Sequence, residues 1–211
     1  VILLDLFCGR WGWSRAFANR GWHCIGVDLT DPPEIPGGCQ FLRTDVLYLS
    51  EQSIPAKVDA IVASSPCEEF SVHSMKHFHP NPKYPEMGIK LFNHTRQLCE
   101  AAGVPYVMEN VRAAQQFVGN ATCHAGSFYL WHNLGNFPLR FGHPFKMPSG
   151  ISKGATQMRR DGRFARAGGV DERMYKAKGI RASELATIPP ELANCVADYF
   201  ESVLEKQEVT A

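Results

Sequence analysis

No apolar run in the 211 residues comes near the roughly 20 that a bilayer-crossing helix requires, so no membrane span is expected. No Cys-x-x-Cys pair occurs either. The seven cysteines, at positions 8, 24, 39, 67, 99, 123 and 195, are odd in number and scattered, which argues against a disulfide framework and for reduced thiols in a cytoplasmic setting. No basic lead or small-residue cleavage site accompanies Val1-Ile2-Leu3-Leu4, so this opening reads as a strand and not as a secretory signal. There is no P-loop lysine, no internal repeat and no low-complexity tract. What remains, with 45% hydrophobic and 20% charged residues, is the composition of one globular domain with a small appendage.

The net charge of +1 hides an uneven distribution. Residues 140–181 carry 11 Lys and Arg against 3 Asp and Glu, a net of +8, while the flanking parts are acidic. With Phe141, Phe145, Phe164 and Tyr175 interleaved, this block has the character of a polyanion-binding surface. A solvated loop is the plainer reading of the same composition.

Val1–Leu6 has the length and continuity of a buried strand, and Gly9-Arg10-Trp11-Gly12 breaks it before a helix over Trp13–Asn19. His23–Val27, Gln40–Arg43, Val58–Ala63 and Val104–Met108 read as further strands, and Glu86–Ala102 as a helix stopped by Gly103. Residues 68–85 lack periodicity and read as a mobile surface loop. Beyond Arg112 only Ser127–Trp131 resembles a strand, until Ile188-Pro189-Pro190 opens a closing helix. The alternation predicts a doubly wound α/β sheet, divided into a core (1–112), a basic irregular segment (113–182) and a helix packing back on the core (183–211).

Each strand delivers a polar or reactive residue at its carboxyl end, where open α/β sheets bind ligands. Asp5-x-x-x-Gly9-x-x-Gly12 fits a cofactor turn between strand and helix. Asp28 stands where an acid holds ribose hydroxyls, and Asp45 could accept from an adenine amino group; either could equally be a turn or cap residue. Acids in series without a phosphate clamp favour S-adenosylmethionine over NAD. Cys67, after Pro66 at a strand exit, is a candidate nucleophile, and Glu109 a candidate acid. His73, His77 and His79 have a spacing that could bind zinc, but without a second cysteine pair no metal is expected.

These residues resemble the DNA cytosine-C5 methyltransferase family. Asp5-Leu6-Phe7-Cys8-Gly9 with Gly12 is similar to its cofactor motif, Pro66-Cys67-x-x-Phe70-Ser71 to its catalytic loop, and Glu109-Asn110-Val111 to its Glu-Asn-Val motif. Gln157-x-Arg159 is similar to its Gln/Arg motif, and Ala193-Asn194-Cys195-Val196 to its closing helix. The resemblance implies a Rossmann-like class I sheet, with Asp5, Phe7, Gly9, Trp11, Gly12, Asp28, Asp45, Pro66 and Asn194 around S-adenosylmethionine. It implies catalytic roles for Cys67, Glu109, Arg159 and Arg160, and DNA contacts from Ser71, Lys76, Arg163 and Arg166. A monomer acting on double- or single-stranded DNA is expected. Trp11 replaces the family's usual glycine and Glu68 its usual glutamine, which places an indole beside the cofactor. Little room is left between Arg160 and Ser183 for a target-recognition domain, so sequence selectivity is expected to be slight. An enzyme acting on RNA or a free nucleotide, one using a modified cofactor, and a non-catalytic binding module are the alternatives.

Overall fold

The computed structural model describes residues 1–55, 57–74, 83–139 and 187–210. Seven strands form one sheet: β1 (Ile2–Leu6), β2 (His23–Asp28), β3 (Cys39–Arg43), β4 (Ala60–Ser64), β5 (Tyr106–Asn110), β6 (Cys123–Ala125) and β7 (Phe128–His132). Their order is β3-β2-β1-β4-β5-β7-β6. The first five strands are mutually parallel, and β7 joins β5 antiparallel. This is a doubly wound, Rossmann-like α/β sheet with an antiparallel hairpin at one edge.

The central strands β1 and β4 are largely apolar because both faces are covered. Leu3, Ala60 and Val62 pack on one face against α1 (Ser14–Ala18) and α5 (Pro190–Thr210), through Trp13, Phe17, Leu192, Val196 and Phe200. Leu4, Leu6, Ile61 and Ala63 pack on the other, against Phe92 and Leu98 of α3 (Glu86–Ala102) and Phe70 of α2 (Glu68–Ser74). A short α4 (Gln115–Val118) follows β5. The turn from β1 into α1 is tight enough that a Cβ at Gly12 would stand 2.9 Å from the Ile188 amide nitrogen. Only glycine lets the chain entering α5 pass this close.

Two expectations are corrected here. Residues 68–74 are helical, not loop: the Ser71 amide donates to the Cys67 carbonyl, Phe70 is fully buried, and Glu69 accepts from the Gly88 amide at 2.7 Å. The anchoring partners are distant in sequence, so no periodicity announces them. The core also does not end at residue 112. Residues 123–132 form a hairpin that extends the sheet, and one compact unit comprises Val1–Pro144 and Ile188–Ala211. The second unit, Phe145–Thr187, lies almost wholly outside the described residues, and with it most of the basic block.

Candidate active site

The carboxyl ends of β1 to β4 open onto a crevice of about 220 Å³. Phe7, Asp28, Asp45 and Pro66 line it, as the sequence suggests, and so do Leu29, Thr44, Val46, Ser64, Glu68 and Leu91. Phe7 takes a left-handed backbone conformation (φ 62°), unusual for a side-chain-bearing residue and typical of functional turns. The Gly9 amide donates to Asp28 Oδ2 at 3.0 Å, tying the turn after β1 to the end of β2. Asp28 Oδ1 accepts from the Thr30 amide and hydroxyl. Asp45 Oδ1 caps a 3-10 turn, Val46–Tyr48, by accepting from the Leu47 amide at 2.9 Å. Its second oxygen has no such bond. Among the described residues the lining thus holds three carboxylates, from Asp28, Asp45 and Glu68, and no lysine or arginine.

Cys67 and Glu109 stand at the ends of adjacent strands. Ser64, the last residue of β4, is in register with Glu109 on β5. Cys67 follows three residues later, immediately before α2, and is half-buried; Glu109 is 4% exposed. Between them Asn110 acts as a clamp. Its fully buried Nδ2 donates to the carbonyl and to the Oγ of Ser65, both at 3.0 Å, while its Oδ1 accepts from the Val111 amide. The end of β5 thereby fixes the loop that carries Cys67. Ser71, half-buried in α2, lies one helical turn further on.

Cys8, Cys24, Cys99 and Cys123 are poorly suited to nucleophilic chemistry. Burial pushes the thiols of Cys8 and Cys99 up, the latter to about 12. The Cys24 thiol is raised, first by its hydrogen bond to Cys39, which in turn lowers Cys39. Cys123 lies 3.4 Å from His132 Nε2, a pairing that resembles an activated dyad. However, His132 Nδ1 accepts from the Leu134 amide, so Nε2 carries the proton and faces the sulfur as a donor. Burial lowers the imidazole and raises the Cys123 thiol to about 11, keeping both neutral.

Five residues expected around the cofactor are not among the crevice lining: Asp5, Gly9, Trp11, Gly12 and Asn194. Asp5 is fully buried; its Oδ2 accepts from the Ser14 hydroxyl at 2.5 Å, its Oδ1 has no hydrogen-bond partner, and burial raises its carboxyl to about 7. It holds the start of α1 to β1. Asn194 is turned toward α1, accepting from Arg20 and donating to the Pro190 carbonyl. Gly12 serves the approach of Ile188. Trp11 is the sharpest departure: with φ 62° its indole is fully buried over Gly26 of β2, edge-on to Phe41, and donates to the Glu34 carbonyl at 2.8 Å. A Cβ at Gly26 would overlap the indole ring. The ring therefore leaves the crevice, and its destination depends on a glycine fifteen positions away that only the fold brings beneath it. Lys76, Arg159, Arg160, Arg163 and Arg166 lie outside the described residues, as do His77 and His79. Among the described residues no group of three His, Cys, Asp or Glu side chains could hold a metal, and no helix is long and apolar enough to cross a membrane.

No protein-family model matches the chain, and no curated protein does. Solved structures similar to it include DNMT2 of Spodoptera frugiperda (22% identity, 55% of this chain and 37% of that one, TM-score 0.38). The glycopeptide N-methyltransferase MtfA complexed with S-adenosyl-L-methionine matches at 14% identity over 62% of this chain and 57% of that one, TM-score 0.32. SP1627 of Streptococcus pneumoniae, described as an NADH-flavin reductase, matches at 16% over 46% and 40%, TM-score 0.31. The chain thus spans about two fifths to three fifths of these proteins' lengths. Likeness at this level adds nothing to what the strand order already establishes.

Proposed function

We propose that the chain is a DNA cytosine-C5 methyltransferase that uses S-adenosylmethionine as methyl donor. One observation carries the reading: a crevice lined, among the described residues, by three carboxylates and no cation opens beside Pro66-Cys67, after the strand that pairs with the strand of Glu109. Such a lining favours a cationic ligand bearing hydroxyls and opposes a pyrophosphate. Asp28 retains lone pairs for ribose hydroxyls, the second oxygen of Asp45 can accept from an adenine amino group, and Phe7, Leu29, Val46 and Leu91 offer apolar contact to the ring. Bound there, S-adenosylmethionine supplies an electrophilic methyl group on a sulfonium sulfur.

The rest of the chemistry falls to the protein. Carbon 5 of cytosine is a weak nucleophile. In this reading the Cys67 thiolate adds to carbon 6 while the Glu109 carboxyl hydrogen-bonds or protonates N3, which turns carbon 5 into an enamine-like nucleophile. After carbon 5 has accepted the methyl group, its proton leaves to solvent, the Cys67–carbon 6 bond breaks, and thiolate and aromatic ring are restored. Asn110 keeps the Ser65-Pro66-Cys67 loop in place throughout. The target base must leave the stack or arrive single-stranded, at about a few kcal/mol. Residues 140–181, with Arg159, Arg160, Arg163 and Arg166, would grip the backbone, aided by Ser71 and Lys76, giving salt-dependent and weakly selective binding.

The test is incorporation of labelled methyl from S-adenosylmethionine into double- and single-stranded DNA. Cys67→Ser is expected to abolish incorporation while binding S-adenosylhomocysteine as the native chain does, measured by calorimetry. No incorporation into either DNA ends the substrate reading. An unchanged rate in Cys67→Ser removes the nucleophile.

A further inference from the structure

We propose that a second groove, outside the strand-end crevice, binds a nucleotide through its base and one phosphate. The groove, of about 500 Å³, runs between the 3-10 turn Val46–Tyr48 and the exposed flank of α3. It meets the crevice at the Asp45 carboxylate, which lines both. Methyl transfer as proposed above does not use its other lining residues.

The groove is built around an aromatic ring that faces water from a rigid support. Tyr48 is 83% exposed, the largest value among the exposed apolar and aromatic side chains described. The turn beneath it is held by the Asp45 cap, by the Tyr48 amide donating to the Asp45 carbonyl at 2.9 Å, and by His94. His94 Nε2 lies 3.0 and 3.1 Å from the Val46 and Leu49 carbonyls. Both partners are acceptors, so Nε2 carries the proton and is shared between them, fastening the turn to α3. A ring so fixed loses little freedom when a base stacks on it.

The opposite wall offers the rest of a nucleotide's chemistry. Lys90, Asn93 and Gln97 recur at spacings of three and four, so α3 presents them on one face. Among the described residues neither the Tyr48 hydroxyl nor any of these three side chains has a hydrogen bond or ion pair within the protein. The two amides each combine a donor and an acceptor and can meet a base edge, and the ammonium is a point charge for phosphate. The Asp45 carboxylate opposes a polyphosphate, so a single phosphate at the Lys90 end is what the charge pattern admits.

The probes are 5-iodo-2′-deoxyuridine monophosphate and an oligothymidylate carrying one 5-iodouracil, photo-crosslinked to the full chain and mapped by peptide mass spectrometry. Tyr48 is the sole aromatic residue in the tryptic segment 44–57. We expect label there. Tyr48→Ala is expected to weaken binding about five-fold or more by calorimetry, and Lys90→Ala to lower the oligonucleotide's log–log salt slope by about 0.7. Circular dichroism checks that both exposed-site variants fold. Label from the mononucleotide assigns the groove to free nucleotides; label from the oligonucleotide alone assigns it to a nucleotide within a strand. Label confined to segments lining the crevice, label nowhere, or yield and salt slope unchanged in Lys90→Ala overturns the proposal. None of these outcomes depends on methyl transfer.

Discussion

Replacing Trp11 separates the two places an indole at this position could occupy. The ring is fully buried over Gly26, so Trp11→Ala forfeits a large core side chain at about 3–5 kcal/mol. It also keeps the left-handed backbone that any side chain at φ 62° must hold, a strain of about 1–2 kcal/mol. Trp11→Gly loses the same ring but relieves the strain, so it should be the milder change by about 1 kcal/mol, although it deletes more atoms. Gly26→Ala should cost about 1–3 kcal/mol in the native background, because its methyl overlaps the indole, and little once Trp11→Gly has opened the space. Urea unfolding followed by circular dichroism measures these four variants and the native protein. Affinity for S-adenosylhomocysteine, measured alongside, should change less than about three-fold, since the ring does not line the crevice. The reasoning is refuted if Trp11→Gly leaves stability within about 0.5 kcal/mol of native while affinity shifts ten-fold or more.

Asn110→Ala should destabilise by about 1–3 kcal/mol, because it strands buried Ser65 groups, and should lower kcat on the order of 100-fold through a displaced Cys67 with little change in cofactor KM. Stability loss with unchanged kcat would reduce Asn110 to a structural residue. Asp5 predicts a pH signature. Burial raises its folded carboxyl from 3.8 to about 7, so the folded chain holds that proton more tightly than the unfolded one. Between about pH 4 and about pH 7 its contribution therefore falls as pH rises, by as much as about 4 kcal/mol, and it is level above that. The stability difference between Asp5→Asn and native protein, measured by denaturation from pH 4 to pH 8, should widen over this window in favour of the variant; a constant difference contradicts the assignment.

The strands and α3 are legible in the sequence because their signals are local. β1 and β4 are apolar apart from Asp5 and Ser64 since helices cover both faces, and α3 begins at Glu86 and ends at Ala102 as its periodicity predicts, closed by Gly103 in the left-handed conformation. The hairpin of β6 and β7 is not legible: three residues on one arm are too few to show alternation. Asp28 and Asp45 line the crevice where residue type and strand end point to them, and Pro66 where the family resemblance does. Thr44, Val46 and Ser64 are missed because their part in the wall follows from backbone exit geometry and not from their chemistry. Asp5 and Asn194 show the converse. A polar side chain near the right strand or helix end counts as available in the sequence, yet Ser14 claims one and Arg20 the other.

What the sequence could least convey is how the loops at the strand exits are held. The two tethers that matter join the end of one strand to the loop following its neighbour: Asp28 of β2 to the Gly9 amide after β1, and Asn110 of β5 to Ser65 after β4. Parallel strands place such partners side by side at the same edge, whereas in sequence they are 19 and 45 residues apart. Each tether turns a polar residue that would otherwise be read only as a ligand contact into a support. Asp28 makes its tether and still has lone pairs to spare, as a carboxylate can. Asn110 commits both hydrogens of its amide to Ser65 and one lone pair of its oxygen to the Val111 amide, so the residue that holds the Cys67 loop has no donor left for other partners.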